Sequence, residues 1–491
     1  MNRQRCRIVI IGGGFAGASL AIQLVRRAPG ALEIMIVEPR SEVGRGLAYS
    51  TKDPDHRLNA PAFAHSLLPE DFLHFSRWAE DRDLLARDPD ALHADGGVYF
   101  RRYDFGTYLV ETLAEHSTVG ATGSQITHLR DLAVSVGFEN GFAFVRTQSG
   151  QEFVADRVVI ATGNPSLRLP KSIIRPWPEH AGLIENPFEP GRLKTLAPAA
   201  EILVVGAGLT ALDAMSTLLA QGHRGTITAV SRHGLTPRGQ GPIPPALRHG
   251  ATPQLPGQMF HARLTGAIPA FLDSANGVPP KALAWLRALR RQIAEATAGG
   301  GAWQQPFDSL RDSLWRLWPS LPLSEQRRVL RHLRKMYDVH RFRTPPQSEA
   351  TAAAAGARGQ VRYATGTVVE LRDAGRRLSV AIRRPGGATA PGLIVDAVVN
   401  ASGLDTAAGI ATNPVLRALC EAGHVQIDAH NLGLSIDDEG RAIDVDGKSS
   451  NWLRIIGPPT LGSFGDPIGA FFVAAQIHRF IPSILAGLTG A

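Results

Sequence analysis

The sequence predicts an α/β protein in which one strand–turn–helix–strand unit occurs twice. Three observations carry that expectation. A glycine motif, Gly12-Gly13-Gly14-Phe15-Ala16-Gly17, follows an apolar run and opens a small-residue helix. A second motif, Gly206-Ala207-Gly208-Leu209-Thr210-Ala211, repeats that order far along the chain. The strands before both are continuous apolar runs, Arg7-Ile8-Val9-Ile10-Ile11 and Ile202-Leu203-Val204-Val205, as parallel strands buried on both faces require.

The first unit reads as strand, glycine turn, helix from Ala16 to Val25, and strand from Glu33 to Val37. In the second, a helix from Leu209 to Ala220 precedes a strand from Thr226 to Val230. Helical patches near 70–86 and 105–115 lie between them, followed by a three-strand meander at 125–136, 142–148 and 152–160. Residues 235–257 form a loop dense in Gly and Pro, and three or four helices then run to about 341. In the last of these, Leu323, Val329, Leu330, Leu333, Met336 and Tyr337 recur at helical spacing, with Ser324 as the expected N-cap. Ala350 to Ala357 reads as helix or linker. Strands return at 361–371, 378–383, 393–400 and 453–456. A Gly/Pro loop from Gly457 to Asp466 leads into a final helix to about 485.

Composition bounds the function. A chain of 491 residues, 44% hydrophobic and 20% charged, is an ordinary globular one of two to four domains, not a disordered, collagenous or coiled-coil one. The net charge of +8 suits phosphorylated cofactors, acidic substrates or other polyanions. With only Cys6 and Cys420 there is no disulfide framework, CxxC redox pair or thiolate zinc site. No run of 18 apolar residues marks a membrane helix. Arg3, Arg5 and Arg7 before an apolar run imitate a signal peptide, but Gly12 to Gly14 break the run, so a cytoplasmic protein is expected. His56, His65 and His74 are nine residues apart, which is not ligand spacing, and no metal is expected. The basic run Arg327, Arg328, Arg331, Arg334, Lys335, Arg341 and Arg343 reads mainly as a solvated helix face, and nucleic acid is not expected as a partner.

The motifs carry the chemistry. Gly12 permits a tight turn, Gly14 lets a pyrophosphate reach the helix amides of Phe15 and Ala16, and Gly17 lets the helix pack on its strand. Glu38 stands 21 residues after Gly17, where an acid bonds ribose hydroxyls. In the second unit Gly206, Gly208, Leu209 and Thr210 repeat the cradle, but Ser231-Arg232 replaces the acid. An arginine there accommodates a 2′-phosphate and favours NADPH, with Arg238 as a candidate assistant. Two such sites imply two dinucleotides, most naturally FAD and NADPH, between which hydride passes.

Val158-Val159-Ile160-Ala161-Thr162-Gly163 ends a strand in a small-residue turn, and Val398-Val399-Asn400-Ala401-Ser402-Gly403 has the same form. With Gly44-Arg45-Gly46, Arg57-Leu58-Asn59-Ala60-Pro61, Phe100-Arg101-Arg102-Tyr103, Gly208-Leu209-Thr210-Ala211-Leu212-Asp213 and His340-Arg341-Phe342-Arg343, the chain resembles the bacterial FAD/NAD(P)-binding flavoproteins, distant relatives of the N-hydroxylating and Baeyer–Villiger monooxygenases. The resemblance implies two Rossmann-type dinucleotide domains with a helical insert. Residues 1–198 and 403–491 would form the FAD domain, 199–239 and 358–402 the NAD(P) domain, and 240–357 the insert. It also implies that Arg45 and Gly46 lie along the FAD pyrophosphate or ribityl chain and Asn59 near the isoalloxazine. Thr162 and Gly163 would close the FAD domain, and the loop to Asp466 would approach the flavin's pyrimidine end.

The chain departs from disulfide reductases, because Pro458 follows Gly457 and Gly465-Asp466 comes later. The Baeyer–Villiger fingerprint F-x-G-x-x-x-H is absent, and Trp177-Pro178-Glu179-His180 does not supply it. Lacking a redox disulfide, the resemblance points to a monooxygenase that oxygenates a small organic molecule with O2 through a C4a-(hydro)peroxyflavin. An NAD(P)H oxidase or acceptor reductase, and a non-catalytic flavin-bound sensor, stay open as alternatives. No catalytic acid or base can be named. Trp285, Trp303, Trp315 and Trp318 in the insert read first as packing residues and second as a substrate wall.

Overall fold

In a computed structural model, the residues described are 5–488 apart from 118–122, 166, 178, 252–260, 274–276, 404–405 and 467. Arg3, Pro178 and the end of the 235–257 loop therefore lie outside the described residues.

Both expected units are present, and each is built on parallel strands. The first is built on β1 (Cys6–Ile11), helix α1 (Phe15–Arg27) and β2 (Leu32–Val37). Ile8, Val9 and Ile10 of β1 are fully buried, which is why their run carries no polar residue. The second is built on β9 (Ile202–Val205), helix α5 (Leu209–Ala220) and β10 (Ile227–Ser231).

The strands between were expected in runs that the structure divides. The run at 125–136 separates into β3 (Gln125–Leu129), parallel to β2, and β4 (Ala133–Glu139). β4, β5 (Phe142–Thr147) and β6 (Glu152–Ala155) form an antiparallel meander. The run at 152–160 divides at Asp156, and β7 (Arg157–Ile160) returns to pair with β1. The run at 361–371 divides at Gly366 into β11 (Val361–Thr365), beside β10, and β12 (Thr367–Ala374). With β13 (Arg377–Arg383) and β14 (Thr389–Val395), β12 makes a second antiparallel sheet. After Asp396, β15 (Ala397–Asn400) pairs with β9. The short strand β8 (Leu183–Ile184) also pairs with β15, so it belongs to the second sheet, although the sequence grouped it with the first unit.

The two sheets run β16-β17-β7-β1-β2-β3 and β11-β10-β9-β15-β8. Strands β16 (Arg441–Ile443) and β17 (Ser449–Ile455) come from the end of the chain, and β17 lies parallel to β7. One device starts both returning strands. The Asp156 carboxylate accepts the Arg7 N–H at 2.7 Å while its own N–H donates to the Arg7 carbonyl at 2.9 Å. Asp396 does the same with Glu201, at 2.7 and 2.8 Å.

Helices fill the rest. The patch at 70–86 is two short helices, α2 (His74–Glu80) and α3 (Leu84–Arg87), separated at Asp83, whose φ is +50°. Helix α4 (Arg102–Ser117) packs on α1. The insert holds α6 (His261–Thr265), α7 (Ala282–Ala298), α8 (Gln304–Ser320), α9 (Leu323–His332), α10 (Arg334–Arg341) and α11 (Pro346–Ala357). Ser324 is not a cap: α9 begins at Leu323, after Pro322, and no side chain caps it. The expected single last helix divides at Leu333. Trp285 and Trp318 are buried in the insert core, and Trp303 packs against it. Trp318 also donates its indole N–H to the Gly462 carbonyl at 2.8 Å, which ties the insert to the first unit. Helices α12 (Thr406–Thr412), α13 (Pro414–Glu421), α14 (Leu461–Phe464) and α15 (Ala470–Leu485) complete the chain, and α15 lies along α1. Among the described residues no helix is long and apolar enough to cross a membrane.

Candidate dinucleotide and active site

The glycines of the first motif answer to different neighbours. Gly12 has φ +109°, and a Cβ there would stand 2.5 Å from the Ala161 carbonyl oxygen. A Cβ on Gly17 would stand 2.0 Å from the Gly12 oxygen. Gly14 is unlike both, since the nearest atom to its added Cβ is the Gly46 Cα, at an ordinary 3.5 Å. The protein itself does not require glycine at 14. The α1 N-terminus beside it is left open, and no side chain caps that end.

Glu38 closes the cradle. Glu38 is 4% exposed, and its carboxylate accepts hydrogen bonds from Gly13 N at 2.8 Å, Arg40 N at 3.0 Å and Arg40 Nη1 at 3.1 Å. Two carboxylate oxygens offer about four acceptor positions and these bonds take three, so one on Oε2 remains for a ribose hydroxyl.

The second cradle repeats the first. Gly206 has φ +121°, and its Cβ would stand 2.1 Å from the Ala401 oxygen, the counterpart of Ala161. A Cβ on Gly208 would meet nothing within 4 Å. The α5 N-terminus at Leu209 and Thr210 is likewise uncapped by any side chain. Ser231 ends β10, and Arg232 follows it exposed, with no ion pair among the described residues.

Other expected residues are placed with their own partners. The Arg45 guanidinium is held by Glu42 at 3.1 Å, the Tyr103 carbonyl at 3.0 Å and Thr107 at 3.2 Å. Its side chain thus fixes the loop, and it is Gly46 that overlies Gly14. The Asn59 carbonyl accepts from Gln240 Nε2 at 2.8 Å, where the chain enters the insert. Thr162 Oγ1 is buried without a hydrogen-bond partner, and Gly163 has φ +70°. Beside them, at the carboxyl ends of β7 and β17, opens a cleft of about 260 Å³ lined by Pro165, Ile410, Asn413 and Pro459. Asp466 is 6% exposed and accepts from the Tyr337 hydroxyl at 2.7 Å and Arg341 Nε at 2.5 Å, while its Oδ1 has no partner.

Residues 9–165 match the FAD-NAD(P)-binding family model. No curated protein matches the chain in sequence at a significant level. Solved structures do match it in fold, over its whole length. Ornithine N-hydroxylase of Kutzneria sp. 744 is 15% identical with a TM-score of 0.59, covering 98% of this chain and 99% of that one. Ornithine hydroxylase of Pseudomonas aeruginosa gives the same figures. L-lysine 6-monooxygenase of Pseudomonas syringae is 15% identical with a TM-score of 0.58, again over 98% and 99%. The fold is therefore that of the two-dinucleotide flavoproteins.

The flavoprotein fold accounts for what is open at the site. The room at Gly14, the unpartnered Thr162 hydroxyl and the unpartnered Asp466 oxygen are compatible with an FAD, and the room at Gly208 and the exposed Arg232 with an NADPH.

Several residues named in the sequence acquire partners that it did not foretell. His65 is buried against Phe105 and bonded through Nδ1 to the Pro61 carbonyl, and burial pushes its pKa down to about 4. Burial and the adjacent Asp466 push the Tyr337 phenol well above its usual value, so it stays protonated and donates. The expected solvated face holds for Arg327, Arg328, Arg331 and Lys335, which are exposed. It does not hold for Arg341, paired with Asp466, or Arg343, paired with Asp308. Arg263, Arg311 and Arg341 stand 4.8, 5.3 and 4.7 Å from the centre of the Phe472 ring. Among the described residues no group of three or more His, Cys, Asp or Glu is placed to hold a metal.

Proposed function

We propose that the chain is an FAD- and NADPH-dependent monooxygenase that oxygenates a small organic substrate with O2. One observation carries the reading: two glycine cradles, each open at its middle glycine, stand at the carboxyl ends of parallel strands in two separate sheets, each with a returning strand beside it. The first sheet, from both ends of the chain, holds FAD, and the second, from its middle, holds NADPH. Bound FAD supplies a two-electron centre that takes hydride from NADPH and delivers electrons to O2.

This chain's residues do the rest. Gly12 to Ala16 present backbone amides to the pyrophosphate, and Glu38 orients the ribose. Ser231 and Arg232 select the 2′-phosphate. Asp466, held by Tyr337 and Arg341, presents its free oxygen beside α15, whose N-terminus favours negative charge on a reduced flavin. Cys6 and Cys420 are unpaired thiols, which accords with a cytoplasmic setting and leaves no disulfide relay for the electrons. The likeness in fold to N-hydroxylating monooxygenases supports oxygen insertion over a bare oxidase.

The test is a purified spectrum followed by NADPH and O2 consumption across a panel of amines, thiols and acids. A bound flavin and an oxygenated product, with little hydrogen peroxide, support the proposal. Flavin reduction with all oxygen released as peroxide across the panel would make the protein an oxidase. A protein without flavin would overturn the reading.

A further inference from the structure

The two cradles stand on separate sheets, and one side-chain joint spans the distance between them. It gathers three residues to which no role was given, Arg57, Arg102 and Asp213. Arg102, the first residue of α4, donates from both terminal nitrogens to the two oxygens of Asp213, at 2.6 and 3.0 Å. Its Nε donates to the Arg57 carbonyl at 3.0 Å, and its N–H to the His56 carbonyl at 2.8 Å. Arg57 is itself held by both oxygens of Asp88, at 2.8 and 2.9 Å, and both residues are buried. The guanidinium is thus fixed at its base before it reaches α5.

Asp213 lies within the first two turns of α5, just past Gly208. One turn further, on the same face, Thr217 Oγ1 donates to Asp53 at 2.5 Å and lies 3.0 Å from His56 Nε2. The helix that presents the second cradle is therefore gripped twice from the first unit. The same start of α4 serves the first cradle. The Tyr103 carbonyl and Thr107 receive Arg45, whose neighbour Gly46 overlies Gly14. Two turns of α4 touch both sites.

We propose that Arg102 is a positioning residue: through Asp213 it fixes the second cradle relative to the first and so sets the distance over which hydride passes. This rests on the two-dinucleotide reading above. A bidentate, largely buried pair repays its desolvation mainly in geometry, and a misplacement of about 1 Å can cost roughly a hundredfold in rate.

The test is Arg102→Ala, Arg102→Lys and Asp213→Asn, each with two readouts. Stopped-flow reduction by NADPH separates the limiting rate from the NADPH Kd. Hydrogen exchange of the α5 amides is followed in the protein without cofactors. Arg102→Ala is expected to lower the limiting rate roughly 10- to 100-fold, with Kd little changed and α5 exchanging faster. Asp213→Asn should follow it, and Arg102→Lys, which keeps the charge but not the planar fork, should fall between. Wild-type rate and exchange in a folded variant would overturn the proposal, as would losses of Kd, flavin content and rate in proportion. Should Arg102→Ala not fold, Asp213→Asn decides. If NADPH does not reduce the wild-type flavin, the functional reading fails and the exchange data alone decide the joint.

Discussion

Gly14 and Gly17 are three residues apart in one motif, yet substitution should separate them. Alanine at 17 places a methyl 2.0 Å from the Gly12 oxygen, and the overpacking should cost about 2–3 kcal/mol in denaturant unfolding. Alanine at 14 meets only an ordinary contact, so stability should stay within about 0.5 kcal/mol while bound flavin is lost. Arg232→Ala should weaken NADPH by about 2 kcal/mol, roughly thirtyfold, and NADH hardly at all. Equal losses for both would remove the phosphate contact. His65 gives a pH signature. Its folded pKa, about 4, lies below its ordinary 6.5, so the unfolded chain binds the extra proton between those values. Its contribution is complete above pH 6.5, falls as the pH drops towards 4, and amounts to about 3 kcal/mol. His65→Asn should flatten that part of the wild-type stability profile between pH 7 and 5, and an unchanged slope would show that other groups set it.

At the scale of elements, the apolar runs were legible because buried parallel strands admit nothing else, but their ends were not. Three runs divide at one residue each, Asp156, Gly366 and Asp396, since a chain leaving one sheet for another needs no break in its hydrophobic pattern. The two aspartates did leave a trace. Ala155-Asp156-Arg157-Val158-Val159 and Val395-Asp396-Ala397-Val398-Val399 share an acid ahead of the same valine pair. Removing either carboxylate strands a backbone N–H, of Arg7 or of Glu201. Asp156→Ala and Asp396→Ala should each cost about 1–2 kcal/mol by chemical denaturation, and a loss near zero would show that water replaces them. Ser324 misled for a simple reason: the N-cap position falls on Pro322, two residues sooner, and α9 begins at Leu323.

Across the whole molecule, the cradles could be read because each is a short contiguous motif whose spacing is its chemistry. The joint between them could not, since Arg102 and Asp213 are 111 residues apart and neither is unusual alone. The basic run was partly misread for the same reason, because Arg341 finds its acid 125 residues away.

The order of the first sheet also bears on how the chain comes off the ribosome. Strand β7 is made early, but one of its two neighbours is β17, near the end of the chain, and α1 waits still longer for α15. The strands of the second sheet all lie between residues 183 and 400. The unit begun second is therefore the first whose strands are all available. The unit begun first spends most of synthesis with an open β7 edge and the α15-facing side of α1 uncovered, the stage at which a chaperone or an early stop would matter most.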